Sequence, residues 1–331
     1  MQMMKMLGID ISKIYGAKFD VEYEKGLSEL LGYVKSIMDE KDIAILKNDN
    51  DLAIDWDYIL IDEGQDWLPE EKDILYRVYG PESIIVADGI DQFMRNSKRL
   101  VWTDKNTVVK EQKQGLRQKT NLANFVNAIA NEFRLRWNIT PCRDDRYAGG
   151  EVFVYPNYKA SLHNDLLEKC KNNGGDAYDM LFLIPYQMNP TGEKEYDGIK
   201  KINIEKWGKN GISLFDGTDE KLRRQYSTNV DACRLYMYES CRGLEAWTTV
   251  CLNFDVLIEN KFKEAKLIQF PETLELVSEE YRRRQYVYLW SLMPLTRPID
   301  TLVITLKDPN SEVGKILKRI ADKNVNVHWN F

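Results

Sequence analysis

Histidine is almost missing from this chain, and its cysteines do not form sets. Two histidines and five cysteines occur in 331 residues. Cys142, Cys170, Cys233, Cys241 and Cys251 are scattered, odd in number and without a CxxC pair. A zinc site therefore lacks its usual ligand spacing, and a disulfide framework lacks an even set of partners. Reduced thiols in a cytoplasmic protein are the simple expectation. No stretch of about 18 apolar residues suggests a membrane span, so no membrane partner is expected. Met1 to Asp10 holds no long apolar run of the kind a signal peptide needs. An excess of basic charge is also lacking. The 46 Lys and Arg are outnumbered by 52 Asp and Glu, for a net charge of -6. That balance disfavours wholesale coating of nucleic acid, because phosphate binding is driven by Lys and Arg. It leaves room for a local basic groove along one strand.

What is present reads as a folded protein of two domains. The hydrophobic fraction is 44% and the charged fraction 30%, both ordinary for a globular chain. Eight Trp and eighteen Tyr supply aromatic bulk for two cores. At about 150 residues per domain the length suggests two, divided near residue 110, as 1–110 and 111–331. No internal repeat or low-complexity tract breaks the chain.

Hydrophobic spacing marks the elements. Leu27, Leu30, Leu31, Val34 and Ile37 predict a helix over Gly26 to Met38, and Asn48 to Asp51 predicts a turn. Tyr58 to Ile61 is a short apolar run ending in acids. Pro69 with Glu70 and Glu71 makes a favourable helix start, and that helix should stop at Gly80-Pro81. Ser83 to Ala87 is a second apolar run, ending at Asp88. Strand, helix and strand in so short a span make a βαβ unit with parallel strands. Ligands of such sheets sit beyond the carboxyl ends of the strands, where both acidic clusters fall. Thr120 should open a helix carrying Leu122, Phe125, Val126, Ile129 and Phe133. Residues 140–150 read as a loop. Strands are expected at Val152 to Tyr155, Met180 to Ile184, Leu235 to Tyr238, Thr249 to Asn253 and Thr301 to Leu306. Pro185 to Gly217 reads as a surface excursion, and Glu279 to Leu292 as a helix.

The strongest chemical signal is Tyr58-Ile-Leu-Ile-Asp62-Glu63-Gly-Gln65-Asp66-Trp67. An apolar strand that delivers Asp-Glu at its end suits nucleotide hydrolysis. The first carboxylate can hold Mg²⁺, a hard cation that prefers oxygen. The second can orient or deprotonate an attacking water. A solvated strand end followed by an acidic helix start would read the same way.

This segment resembles the DExQD box of UvrD/Rep-like superfamily 1 DNA helicases, and further boxes follow in family order. Val86-Ala87-Asp88-Gly-Ile-Asp91-Gln92 resembles the third motif, GDxxQ. Leu116-Arg117-Gln-Lys-Thr120 resembles the fourth, NYRS. Ser240-Cys-Arg242-Gly243-Leu244-Glu245 resembles the fifth, KGLE. Leu295-Thr296-Arg297-Pro298-Ile-Asp300 resembles the sixth. The resemblance covers most of the chain. It implies an α/β fold of two RecA-like parallel-sheet domains, the first incomplete, and a helicase or translocase driven by ATP and Mg²⁺ on single-stranded or partly duplex DNA. It implies Asp62 and Glu63 at the metal, with Glu63 as base, and Gln92 as the γ-phosphate sensor. Arg117 and Arg297 would be arginine fingers. Gln65, Asp66, Asp88, Arg242 and Gly243 would line the nucleotide, and Glu245 would contact its ribose. Fingers from a mobile domain stabilise the charge that builds on the transferring phosphoryl group only when the cleft closes.

The sequence departs from the family in several places. Ala87 replaces Gly, Gly115-Leu116 replaces Asn-Tyr, and Pro294 replaces Ala. Arg95 stands where a base-stacking aromatic is expected, with Phe93 nearby. No GxxxxGK[ST] occurs. Gly208-Lys209 is followed by Asn and Gly314-Lys315 by Ile, and neither has a glycine five residues earlier. The phosphate cradle and its lysine are therefore lacking. The chain is expected to be truncated at its start relative to the family, with a second polypeptide supplying the P-loop, or to be a non-catalytic nucleic-acid- or partner-binding module. The span from Arg117 to Arg242 leaves room only for a reduced inserted subdomain. Candidates for a single-strand groove are the cluster Lys110, Lys113, Arg117 and Lys119, and the cluster Arg134, Arg136, Arg143 and Arg146 beside Trp137. Solvated helix faces with Trp137 in the core would give the same pattern.

Overall fold

Two short apolar runs, each ending where acids begin, pair side by side at the start of the chain. The computed structural model describes residues 4, 9, 19–48, 54–89, 100–112, 114–135, 137–192, 196, 198–223, 229–267 and 278–331. They fall into two units, Met1–Lys110 and Glu111–Phe331.

In the first unit, β1 (Ile59–Ile61) and β2 (Ile84–Val86) are parallel, in the register Ile59 to Ile84 and Ile61 to Val86. The crossover is α3 (Pro69–Tyr79), preceded by α1 (Phe19–Ser36) and α2 (Glu40–Lys47). Pro69 opens α3 and Gly80, at φ 79, ends it. The left-handed turn there suits a residue without a Cβ. The Glu71 carboxylate accepts from the Leu68 N–H at 2.8 Å and from the Tyr23 hydroxyl at 2.7 Å. It thus satisfies an orphan donor at the helix start and ties α3 to α1. The helix expected from Gly26 begins earlier, at Phe19, because Tyr23 gains this partner. Leu27, Leu30 and Val34 of α1 meet Ile43 of α2 and Ile74 and Val78 of α3 in one core. On the opposite side of the two strands Leu60 and Ile85 are 77% and 55% exposed.

The second unit is an α/β layer structure around a seven-stranded, all-parallel sheet. Its strands are β5 (Glu151–Tyr155), β6 (Met180–Ile184), β7 (Leu214–Asp216), β8 (Cys233–Met237), β9 (Ala246–Cys251), β10 (Pro298–Thr305) and β11 (Val327–Trp329). Their order is β11-β5-β10-β9-β6-β8-β7, and every pairing is parallel. With β7 and β8 set aside, five strands remain in the order β11-β5-β10-β9-β6, so the first strand lies inside the sheet between the last two. This is a RecA-like arrangement. All five residues of β6 are buried, as expected for a strand covered on both faces. Phe182, Ile184, Leu235, Val250 and Val303 pack with Leu166 and Cys170 of α5 (Ala160–Asn172). α4 (Thr120–Glu132) buries Leu122, Phe125, Val126 and Ile129.

Three segments differ from expectation. The excursion after Pro185 carries α6 (Ile204–Lys209) and the edge strand β7; three residues at a sheet edge leave too short a pattern to read. Thr140–Pro141 (β4) pairs with Gln114–Gly115 (β3) inside the expected loop. The last long helix runs to Leu295, through Pro294. The helices α8 (Phe254–Ala265) and α10 (Glu312–Ala321) complete the layers, α7 (Glu220–Arg223) is a single turn, and α9 is Glu279–Leu295. No helix of the described residues is long and apolar enough to cross a membrane.

Candidate functional site

In the first unit, Asp62 and Asp88 both lie just beyond the carboxyl ends of their strands, and both are exposed. Glu63 stands at φ 52. A left-handed backbone on a residue with a Cβ costs about 1 kcal/mol, and such strain gathers at functional sites. The bend is held from three sides. The Gly64 N–H donates to the Ala87 carbonyl at 2.9 Å. The indole of Trp102 donates to the Gly64 carbonyl at 2.7 Å. Gln65 is fully buried. Its Nε2 donates to Glu63 Oε2 at 2.7 Å, and its Oε1 accepts from the Gly89 N–H at 2.8 Å. Gln65, expected at the nucleotide, thus holds the Glu63 carboxylate and ties it to the loop after β2. Asp66 is also buried. Among the described residues no group of three or more His, Cys, Asp or Glu is arranged to hold a metal. Mg²⁺ needs no such group, because it keeps several waters and takes one or two carboxylates together with substrate phosphates. Asp62, whose Oδ1 accepts from the Glu63 N–H at 2.9 Å, is the side chain that would hold it.

In the second unit three remote segments meet at the amino ends of β9 and β10. Arg117 Nε donates to Glu245 Oε2 at 3.0 Å, with the two side chains 42% and 57% exposed. Arg297 lies behind them. Its carbonyl accepts from the Ala246 N–H at 3.2 Å. Its guanidinium is buried and donates to the carbonyls of Met293 at 3.0 Å and Leu244 at 3.3 Å, and to Thr296 Oγ1 at 2.9 Å. A guanidinium that reaches a phosphate from there must first leave those acceptors. Gly243 takes φ 74 on the exposed turn before Glu245, and Arg242 is half-buried beside it. Arg234 supports the turn by donating to the Glu245 carbonyl at 2.6 Å.

The members of the two basic clusters are placed differently. Lys119 turns inward, its Nζ 2.5 Å from Asp300 Oδ1 and over the Trp247 ring. Arg146 is paired with Asp144 at 2.7 Å, which holds the Asp144 carboxyl down to about 2. Arg134 and Arg143 are exposed. Trp137 is half-buried, and its indole N–H has no hydrogen-bond partner among the described residues. Gln92, Phe93, Arg95, Lys113 and Arg136 lie outside the described residues. Sequence reasoning missed the buried group around Asp300, where Lys169 also reaches the carboxylate, at 3.2 Å. A charged residue inside the apolar run of β10 was its one visible sign.

No protein-family model and no curated protein matches the chain. Among solved structures it is similar to the C-terminal domain of a possible DNA helicase from Lactobacillus plantarum WCFS1. The identity is 11% and the TM-score 0.29, over 66% of this chain and 100% of that one.

Proposed function

We propose that this chain is a helicase-type motor component that carries contacts for the ATP of a DNA-dependent translocase. One observation supports this above the others. Arg117 and Glu245, remote in sequence, meet at 3.0 Å beside the segment of Arg297. Three boxes named from sequence alone therefore share one corner of a parallel sheet. On this reading Arg117 faces the phosphates, Glu245 the ribose, and Arg297 holds the turn between them until it is released as a second finger. Asp62 would carry Mg²⁺, Glu63 the attacking water, and Gln92 would sense the γ-phosphate. The DNA would be single-stranded or partly duplex, with Phe93, Arg95 and Trp137 as its candidate contacts. These 331 residues hold no GxxxxGK[ST], so on this proposal the grip on the β- and γ-phosphates comes from outside them, with a second polypeptide as one source.

The test is titration of the chain with Mg–ATP, followed by tryptophan fluorescence and calorimetry. Binding at about millimolar strength is expected, weakened roughly tenfold by Arg117→Ala or Glu245→Ala, with negligible hydrolysis. Silence at saturating Mg–ATP would remove the reading. Robust DNA-stimulated turnover that disappears in Glu63→Gln would remove the need for a second polypeptide. The burial of the Arg297 guanidinium favours a second reading, a non-catalytic module that binds nucleic acid or a partner without hydrolysis. Binding of a labelled oligonucleotide, indifferent to Mg–ATP, would select it.

A further inference from the structure

The segment that carries Arg117 is fastened at three points to the segment that leads into β10. Gln118 Nε2 donates to the Leu295 carbonyl at 2.9 Å. The Lys119 N–H donates to the Ile299 carbonyl at 2.9 Å. The Lys119 ammonium reaches Asp300 Oδ1 at 2.5 Å. Asp300 is 4% exposed, and its other oxygen accepts from Thr301 Oγ1 at 2.7 Å and faces Lys169 at 3.2 Å. Lys169 also meets Glu151 at 2.7 Å. Burial alone would raise the Asp300 carboxyl. Lys119, Thr301 and Lys169 together outweigh burial and hold it below the usual range.

Burying such a group does little for stability, because desolvation cancels much of the attraction; what it supplies is one allowed geometry. An apolar pair could fill the space and tolerate sliding. An ammonium seated on a buried carboxylate cannot slide without giving up that contact, and Oδ1 of Asp300 then loses its Lys119 partner. The neighbouring Gln118 points the same way. Its Oε1 is buried without a hydrogen-bond partner among the described residues, a cost accepted to place its amide on Leu295.

We propose that Asp300 is a positioning residue for Arg117: by seating Lys119 it fixes the segment from which Arg117 reaches Glu245. What Arg117 does there rests on the proposed nucleotide reading; the positioning itself does not.

The experiment records side-chain Nε–Hε resonances of the full chain labelled with ¹⁵N-arginine. Arg117 is assigned by its loss in Arg117→Lys. In Asp300→Asn and in Lys119→Met, its resonance should move to the position of free arginine and exchange with water roughly tenfold faster. Lys119→Arg should restore it. The Arg234 resonance, held by the Tyr178 carbonyl at 2.8 Å, reports whether the fold survives. If Asp300→Asn fails that control, Lys119→Met, altered at the more exposed end of the pair, carries the test. A folded variant whose Arg117 resonance stays in place overturns the proposal, since a purely structural role would lower the melting temperature and leave Arg117 where it was. Mg–ATP added to the unaltered chain reads the other claim. Arg117 released by Asp300→Asn, with no response to Mg–ATP, would sink the nucleotide reading and keep the positioning role. The reverse pattern would do the opposite.

Discussion

At the bend after β1 a side chain has no room. A Cβ on Gly64 would stand 2.3 Å from Val86 Cγ1 and 3.0 Å from the Trp102 indole nitrogen. Gly64→Ala should therefore cost about 2 kcal/mol, read as a lower urea midpoint for the first unit. An unchanged midpoint would mean that the bend yields. His163 makes a different kind of prediction. Burial lowers its pKa from 6.5 to about 4. Burial also holds the Tyr158 phenol far above its ordinary range, so that hydroxyl stays protonated, and it shares a hydrogen bond with Nδ1 at 3.1 Å. The folded state thus favours the neutral ring, and the unfolded state takes up the proton first. Stability is complete above 6.5, declines as pH falls below it, and the loss, on the order of 3 kcal/mol, is finished near 4. Melting temperatures between pH 7 and 4 should show this slope, and His163→Gln should flatten it. Equal slopes in both proteins would place the sensitivity elsewhere.

Between elements, apolar contacts hold and surface charges decorate. Phe133 at the end of α4 stacks on Tyr288 of α9 with 3.9 Å between ring centres. Phe133→Ala should cost about 3 kcal/mol, whereas Glu245→Ala, which removes only an exposed pair, should cost less than about 1 kcal/mol. Comparison of the two by chemical denaturation checks both. This division also explains what could be read in the sequence. The β1–α3–β2 unit, α4, β6 and β10 were legible because each carries an unbroken apolar signal closed by Pro, Gly or an acid. β7 and the β3–β4 pair were not, since two or three residues carry no period. Within the site, the boxes named Arg117 and Glu245 but not the ion pair between them. The inward turn of Lys119 was not legible either, because its partner Asp300 lies on a distant strand. Nor was the burial of Arg297, two of whose acceptors are backbone carbonyls that any sequence would have supplied.

For the whole molecule, the two units should differ in self-sufficiency. The second has a seven-stranded sheet, helices over that sheet and a core of its own. Residues 111–331 expressed alone should melt in one cooperative step by circular dichroism. Residues 1–110 alone, with two strands among their described residues and Leu60 and Ile85 bare, should be marginal and prone to associate. A sharp, concentration-independent melt of that fragment would contradict this. The five thiols have a further consequence. All are free and buried. Burial pushes Cys170 up to about 11 and Cys233 and Cys241 to about 12, so little reactive thiolate forms at these three near neutrality, and burial shields the other two. A maleimide dye should thus find almost nothing to label on the native protein. One cysteine introduced at an exposed position such as Val325, which is 90% exposed, would then carry nearly all of the colour, ready for fluorescence work without first deleting the natural five.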